Sequence, residues 1–362
     1  MSKKIQVLVV DDSAVVRHTL TEILASDKEI GLVESASDPY VAAEKMRTFV
    51  PDVITLDINM PVMDGLTFLS RVMTEMPCPV VMVSSLTERD ALATFEALHL
   101  GAVDYVTKPG GTVSMNIRAV AKELVSKVRA ASRNAKIARL RLRHRSLEPP
   151  SAPPLAVAKK KIGVLRRPGP VRLVLIGVST GGPGTLEEIL PKLPADFPSP
   201  VLIAQHMPAT FTRVFAERLN TLCALQVEEV QKRSKLEPGH IYIATGDADV
   251  EVSRLGFGPV ATTVPEDPDM PWHPSVDRMV KSAVTQLGAD ALVGVLLTGM
   301  GDDGAAAMKD LHDKGGRTIA ESEETAIIFG MPHELIERDG ANVVLPCQAV
   351  ASQLVSWAGF KE

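Results

Sequence analysis

The sequence predicts two doubly wound α/β domains, each with a mainly parallel sheet, joined by a basic, proline-rich linker. Three observations support this. The 362 residues are too many for one ordinary core. Buried-strand and helix-like segments alternate in both halves, which is typical of sheets whose crossovers are helices. Residues 125–170 hold 13 Lys and Arg against one acidic residue and end in prolines that cannot continue a helix. We therefore place the domains at 1–124 and 171–362.

Composition and charge exclude several classes of protein. The chain is 45% apolar and 23% charged, which is usual for a soluble protein, and no run of about 18 apolar residues predicts membrane insertion. Its start lacks a signal-peptide core, and three scattered cysteines form neither a disulfide framework nor a zinc site. These features predict a cytoplasmic protein. Residues 171–362 carry a net charge of −11, which disfavours nucleic acid as a partner.

The elements of the first domain follow from hydrophobic periodicity. Strands are predicted at Gln6–Val10, Asp52–Leu56 and Val80–Val83, and helices at Val15–Leu24, Leu66–Met73 and Ala91–Leu100. Beyond them, Ile117, Val120, Leu124 and Val128 recur at intervals of three and four residues, so the linker begins as a helix. Charged residues of the linker are interpreted as a solvated segment attracted to the two acidic domains.

Reactive side chains stand where the strands of this first domain end. Asp11 and Asp12 follow the first strand, Asp57 the third, Ser84 the fourth and Lys108 the last. Ligands of parallel sheets bind at this edge. Three converging carboxylates repel one another unless a cation joins them, and Mg²⁺ prefers such oxygen ligands. Asp57 could then act as a nucleophile toward a phosphodonor, with Lys108 holding the phosphoryl oxygens.

A helix cap is the simpler explanation for an Asp-Asp pair after a strand, with Asp12 or Ser13 as the cap. The combined set is more specific: Val10-Asp11-Asp12-Ser13, Asp57-Ile-Asn59-Met60-Pro61-Val-Met-Asp64-Gly65, Ser84 and Lys108-Pro109. It resembles the flavodoxin-like receiver domain of two-component response regulators. That resemblance implies phosphorylation of Asp57 by a histidine kinase, with Mg²⁺ held by Asp11, Asp12 and Asp57. It also makes Ser84 (or the adjacent Ser85) the switch hydroxyl, Tyr105 the switch aromatic residue and Lys108 the phosphoryl contact.

The second domain opens on a glycine-rich turn between a predicted strand, Arg172–Val178, and a predicted helix, Pro183–Leu193. The turn reads Gly177-Val-Ser179-Thr-Gly181-Gly182 and satisfies the Gly-x-Ser-x-Gly pattern of a nucleophile elbow. Such a turn places a serine at the positive end of a helix, where an alkoxide or oxyanion is favoured. Glycine-rich turns also bind phosphates, and the serine could simply cap the helix.

A serine nucleophile requires a base and an orienting carboxylate. His206 follows the predicted strand Val201–Gln205, and Asp302 and Asp303 follow Ala291–Leu297, so all three groups would meet at one carboxyl edge. Spacing does not separate the two aspartates. The chain order Ser…His…Asp differs from that of α/β-hydrolases, which predicts another fold with the same chemistry.

Four segments carry a second resemblance: Gly177–Gly182, Gln205-His206-Met207-Pro208, Thr298-Gly-Met300-Gly301 and Phe329-Gly-Met-Pro332. The half from Val171 to Trp357 is similar to the catalytic domain of chemotaxis methylesterases. This implies that Ser179 is the nucleophile, His206 the general base and Asp303 the orienting aspartate. It also implies that Thr180 and Met300 line the substrate pocket, and that the esterase uses no cofactor.

The two resemblances together imply a phosphorylation-activated protein-glutamate methylesterase of chemotaxis adaptation. Its substrates would be glutamate γ-methyl esters on cytoplasmic helices of methylated chemoreceptors, with glutamine deamidation as a second activity. The unphosphorylated receiver is expected to cover the edge that bears Ser179. Two alternatives remain at this level: a response regulator with a non-catalytic binding module, and hydrolysis of an unrelated acyl ester.

Overall fold

The computed structural model describes residues 3–108, 114–133 (side chains from 120 onward) and 173–359. The predicted Pro-rich part of the linker, Pro109 and the side chain of Ile117 lie outside the described residues. None of the helices in those ranges has the length and apolar character that a membrane span requires.

The first domain is a five-stranded parallel sheet. Its strands are β1 (Ile5–Val10), β2 (Ile30–Ala36), β3 (Val53–Asp57), β4 (Val80–Ser84) and β5 (Asp104–Thr107), in the order β2-β1-β3-β4-β5. Its helices are α1 (Ala14–Ala25), α2 (Pro39–Lys45), α3 (Gly65–Glu75), α4 (Glu88–Leu100) and α5 (Ser114–Arg133). Alternate residues of β1 face opposite cores: Leu8 packs with α2, α3 and α4, whereas Val7 packs with α1 and α5. Both faces are therefore covered, as a parallel sheet requires.

Helix α5 continues past the predicted domain boundary at residue 124. Leu124, Val128 and Ala131 are all buried in the core that α5 shares with α1. Arg129 also donates three hydrogen bonds to Asp27, just beyond the end of α1. The helical start of the predicted linker thus packs as part of the first domain at least as far as residue 133, because its apolar stripe continues without interruption.

The second domain contains a seven-stranded parallel sheet. Its strands are β6 (Leu173–Val178), β7 (Val201–Gln205), β8 (Gln226–Val230), β10 (His240–Ala244), β13 (Leu292–Leu296), β14 (Arg317–Glu321) and β15 (Val343–Leu345). Their order is β15-β14-β13-β6-β7-β10-β8. Strand order reverses beside β6, because β7 pairs on one side of it and β13 on the other. A reversal of this kind leaves a crevice at the carboxyl edge, where ligands bind. The predicted fold class, two mainly parallel α/β domains, is confirmed.

Helices cover both faces of the large sheet: α6 (Gly182–Ile189), α7 (Ala209–Leu222), α8 (Val276–Leu287), α9 (Ala305–Asp313), α10 (Met331–Glu337) and α11 (Cys347–Trp357). The helix predicted at Pro183–Leu193 is α6 followed by a 3₁₀ turn at Leu190–Lys192. A small antiparallel sheet, not predicted from the sequence, is formed by β9 (Arg233–Lys235), β11 (Asp249–Leu255) and β12 (Gly258–Val264) in the order β11-β12-β9. The segment between β12 and α8 returns the chain to the carboxyl edge of the large sheet.

Candidate active site

An acidic pocket lies at the carboxyl edge of the first sheet. One oxygen each from Asp11, Asp12 and Asp57 lies within 4.8 Å of the others. Lys108 Nζ is 2.7 Å from Asp57 Oδ2 and 3.3 Å from Asp11 Oδ2. Burial raises the pKa of the Asp57 carboxyl, and the charge of Asp11 raises it further, against the opposing bond from Lys108. Three clustered oxygens and an incomplete charge balance fit a hard divalent cation such as Mg²⁺.

Three serines near this pocket, Ser13, Ser84 and Ser85, differ in what their side chains contact and in burial. Ser13, and not Asp12, caps α1 by accepting the N–H of Val16. The Ser84 hydroxyl accepts from Thr94 Oγ1 at 2.9 Å and thus turns toward α4. Ser85 is half-buried, so neither the contacts nor the burial removes it as the alternative switch hydroxyl.

The glycine-rich turn joins β6 to α6 in the second domain. Gly181 has φ +78°, a left-handed conformation that favours glycine, and it begins α6. Gly182 is required by space, since a Cβ there would lie 2.0 Å from Gln205 Oε1. Gln205 Nε2 in turn donates to the Ser179 carbonyl at 3.0 Å, and Ser179 N–H donates to the Thr298 carbonyl at 2.9 Å. The backbone of Ser179 is therefore fixed between β7 and the loop after β13.

His206 and Asp303 form the most direct catalytic contact in the domain, at 2.8 Å between Nε2 and Oδ2. Asp303 also accepts the N–H groups of Val276 at 2.7 Å and Asp277 at 2.9 Å, at the start of α8. Burial would raise the pKa of the Asp303 carboxyl, but the hydrogen bond and charge of His206, together with these N–H groups, hold it below its usual value. Asp303 is thus an ionised acceptor in contact with the imidazole, as its predicted orienting role requires.

The structure separates the two aspartates that spacing left equivalent. The side chain of Asp302 is 66% exposed and lies 3.6 Å from Arg338, whereas that of Asp303 is buried against His206. Met300 and Thr180 flank the same edge: Thr180 is buried, and its carbonyl accepts from Thr298 Oγ1.

Among the described residues, no hydrogen bond connects His206 with Ser179, the residues predicted as base and nucleophile. His206 Nδ1 is buried and has no hydrogen-bond partner among the described residues, while Nε2 is taken by Asp303. Nδ1 is therefore the ring nitrogen left to accept a proton. Catalytic hydrogen bonds often shorten only when substrate is bound.

Sequence reasoning missed the aromatic neighbour of this base. Trp272 stacks on His206 with ring centroids 5.5 Å apart and planes 6° from parallel. The residue lies in an irregular segment, so no periodicity pointed to it. Only its position between Pro271 and His273, in a loop that contains a histidine, could have drawn attention to it.

The first domain packs on this catalytic edge. Asp104 of β5 accepts the N–H of Gly181, two residues after Ser179, at 3.3 Å between N and Oδ2. Lys127 of α5 lies 3.5 Å from the other Asp104 oxygen. Ser126 of α5 hydrogen-bonds to the Met300 sulfur. Two elements of the first domain therefore contact both loops that flank Ser179.

Aromatic stacking extends the same interface on the side of α7. The Tyr105 ring stacks on Phe211 with centroids 4.7 Å apart and planes 3° from parallel. Phe95 of α4 stacks on Phe215 at 5.1 Å. Tyr105, predicted as a switch residue, is thus buried between the two domains, and any change in its position must change their packing.

An acidic phosphoacceptor-like pocket in one α/β domain and a Ser-His-Asp group in the other define a response regulator whose output domain is built as a serine hydrolase. Comparison with known proteins agrees. The family model for the response regulator receiver domain matches residues 7–119, and the model for CheB methylesterase matches residues 174–354. The chain belongs to the CheB methylesterase family.

Two curated relatives match along almost the whole chain. A protein-glutamate methylesterase/protein-glutamine glutaminase from Rhodospirillum rubrum is 51% identical over 97% of this chain and 96% of its own length. One from Caldanaerobacter subterraneus is 46% identical over 98% of this chain and 97% of its own. The crystal structure of the Thermotoga maritima CheB methylesterase catalytic domain matches with a TM-score of 0.50 and 35% identity, covering 51% of this chain and 98% of that domain.

Proposed function

We propose that this protein is a phosphorylation-activated protein-glutamate methylesterase that hydrolyses glutamate γ-methyl esters on chemoreceptors and deamidates glutamines there. The hydrogen bond between His206 and Asp303, beside the fixed turn that bears Ser179, is the observation that carries this proposal. Whole-length similarity to protein-glutamate methylesterase/protein-glutamine glutaminases supports the substrate class.

Ser179 is the nucleophile of the proposed reaction. Its Oγ bonds to the ester carbonyl carbon while its proton passes to His206 Nδ1, and Asp303 stabilises the resulting imidazolium through Nε2–H. Collapse of the tetrahedral adduct breaks the bond to methoxide, which takes the proton from His206 and leaves as methanol. Water then repeats these steps on the glutamyl ester of Ser179 and restores the serine. With a glutamine substrate the leaving group is ammonia. Thr180 and Met300 line the pocket around the bond that breaks.

In the receiver, Asp57 accepts a phosphoryl group from a histidine kinase. Asp11, Asp12 and Asp57 would hold a Mg²⁺ ion, which neutralises phosphoryl oxygens when bound. An Asp57 oxygen bonds to phosphorus as the donor's bond to phosphorus breaks. Lys108, now 2.7 Å from Asp57 Oδ2, moves its bond to a phosphoryl oxygen. Ser84 and Tyr105 respond to that charge, with Ser85 as the alternative hydroxyl.

Activity is controlled by the interface. While Asp104 accepts the Gly181 N–H, a receiver carboxylate occupies the positive end of α6, and a substrate carbonyl is excluded from it. Phosphorylation shifts the population from this covered arrangement to an open one, because Tyr105 is both a switch residue of the receiver and part of the contact, where it stacks on Phe211.

Methanol release from membranes that hold methylated chemoreceptors tests the proposal. Release should rise when Mg²⁺ and a small phosphodonor are added, and Asp57→Ala should remove that rise without removing basal release. Ser179→Ala should abolish release under both conditions. Substantial turnover by Ser179→Ala would reject the nucleophile, and no release from the phosphorylated wild type would favour a binding module or another ester.

A further inference from the structure

Within the described part of the chain, the imidazole of His206 makes one hydrogen bond, which does not by itself fix the ring. The torsion that rotates a histidine ring has no sharp minima, since it joins sp³ and sp² carbons. The bond from Nε2 to Asp303 sets the position of one nitrogen, and the ring could still turn about it. Reaction requires Nδ1 to face Ser179, so a second contact must set the plane of the ring.

Trp272 supplies a flat contact of this kind. Its indole lies parallel to the imidazole within 6°, with 5.5 Å between centroids. Gly301 (φ +84°) is a neighbour of the indole, since a Cβ built on it would lie at the ordinary van der Waals distance of 3.4 Å from Trp272 Nε1. Its face also attracts the imidazolium cation that forms when Nδ1 accepts a proton.

The segment that carries Trp272, residues 265–275, is clamped from behind by one buried carboxylate. Asp249 of β11 accepts the N–H of Asp267 at 3.1 Å and that of Ser275 at 2.7 Å, which holds both ends of the loop. His273 Nδ1 lies 3.0 Å from Asp249 Oδ1, and Arg278 donates to Asp249 Oδ2 at 2.9 Å.

Arg278 fastens the same loop a second time. Its guanidinium also donates to the carbonyl of Pro265 at 2.9 Å and to Glu251 Oε1 at 2.8 Å. Both ends of the loop are thus tied to β11 and α8, and the start of α8 is where Val276 and Asp277 bind Asp303. One framework therefore supports the plane of the imidazole and the carboxylate that orients it.

From this geometry we propose that Trp272 is a positioning residue for His206, and that Asp249 acts through it by anchoring the 265–275 loop. The proposal rests on the methylesterase function for its kinetic readout, and on the His206 geometry alone for its spectroscopic readout. It assigns to Trp272 an effect on the rate of the chemical step and not on the affinity for substrate.

The first measurement is steady-state methanol release by the full chain with Mg²⁺ and phosphodonor. Trp272→Leu keeps apolar bulk but removes the flat face, and it should lower kcat about three- to tenfold with KM within twofold. Trp272→Phe restores a flat ring and should stay within about twofold of wild type. Trp357→Leu serves as the control. It changes the chain's other tryptophan, which lies at the end of α11 against the guanidinium of Arg317, and kcat should stay unchanged.

Three kinetic results would overturn the proposal. These are an unchanged kcat in Trp272→Leu, an equal loss in Trp272→Phe, or a rise in KM alone, which would place the indole in substrate binding. Asp249→Asn tests the same loop through its anchor, because Asp249 accepts N–H groups at both ends of the loop. Its combination with Trp272→Leu should lower kcat by less than the product of the two single losses, and fully multiplicative losses would contradict a shared route.

A second readout does not depend on the esterase. In protein labelled with ¹⁵N-histidine, the proton between His206 Nε2 and Asp303 should give a low-field resonance that Asp303→Asn removes. Trp272→Leu should broaden or shift it, and Trp272→Phe should keep it. If the wild type releases no methanol but this resonance responds, the proposed function fails and the positioning role stands. If the wild type is active and Trp272→Leu leaves the shift and width of this resonance unchanged, the positioning role alone fails.

Discussion

Replacing Asp104 by asparagine should raise the activity of the unphosphorylated enzyme. The carboxylate accepts the Gly181 N–H beside Ser179 and lies 3.5 Å from Lys127. A hydrogen bond to a charged group contributes about 1.5–3 kcal/mol, and the 3.3 Å length here favours the lower end. Asparagine keeps a neutral acceptor but leaves the half-buried Lys127 with one carboxylate partner fewer, so closure should weaken by about 1–2 kcal/mol.

That change corresponds to roughly a five- to thirtyfold larger open fraction. Methanol release without phosphodonor should increase by this factor. The maximal rate with phosphodonor should stay the same, because Asp104 has no part in the open enzyme. Glu123→Gln is the matched control, since Glu123 lies 2.7 Å from Lys127 without contacting Gly181, and it should change basal release less than twofold. Basal release by Asp104→Asn within twofold of wild type would refute the blocking role.

Three further predictions concern the catalytic domain. Asp303→Asn should lower kcat about 10³- to 10⁴-fold while substrate binding persists; a loss under tenfold in methanol release would contradict its orienting role. Gly181→Ala should cost at least about 1–2 kcal/mol in urea unfolding, because φ is +78° and the new Cβ would lie 2.5 Å from Ile327 Cβ. Asp249→Asn should cost roughly 2–3 kcal/mol at neutral pH. Burial opposes ionisation of Asp249, but bonds from His273 and its other donors lower its pKa, so its stabilisation is complete above about pH 4 and is lost as the pH falls through the lower folded value. Urea titrations should therefore show the gap between variant and wild type narrowing below about pH 4; a constant gap would contradict this.

The strands that were located correctly from the sequence are those marked by a continuous run of apolar residues. Short apolar runs buried on both faces form β1, β3, β4, β6 and β7. A polar residue stands at or just after the end of each, and these residues lie together at the carboxyl edge of their sheet. A second strand was counted in the predicted order but β2 was not located, because Gly31 and Leu32 are exposed and the strand lacks a continuous apolar run. The antiparallel β11–β12 pair was missed for a similar reason, since its half-buried polar positions resemble those of a loop.

Contacts between distant segments were beyond such reasoning. Spacing predicted that His206 and the Asp302-Asp303 pair lie at one edge but did not separate the two aspartates. The family resemblance favoured Asp303, and its burial against His206, with Asp302 exposed, agrees. The pairing of Asp104 with Gly181 depends on how two domains pack, for which one sequence contains no periodic signal. Helix α5 crosses residue 124 because the apolar stripe, and not the change in charge, determines where its packing stops.

Asp303 serves two structures at once, since the carboxylate that orients His206 also accepts the first N–H groups of α8. If the first turn of α8 frays, those N–H donors leave and the carboxylate is free to turn away from the imidazole. The fraction of competent enzyme is thus tied to a local unfolding equilibrium that needs much less free energy than global unfolding. If that turn opens before the sheets do, we expect turnover to be lost reversibly on warming while both sheets are still intact.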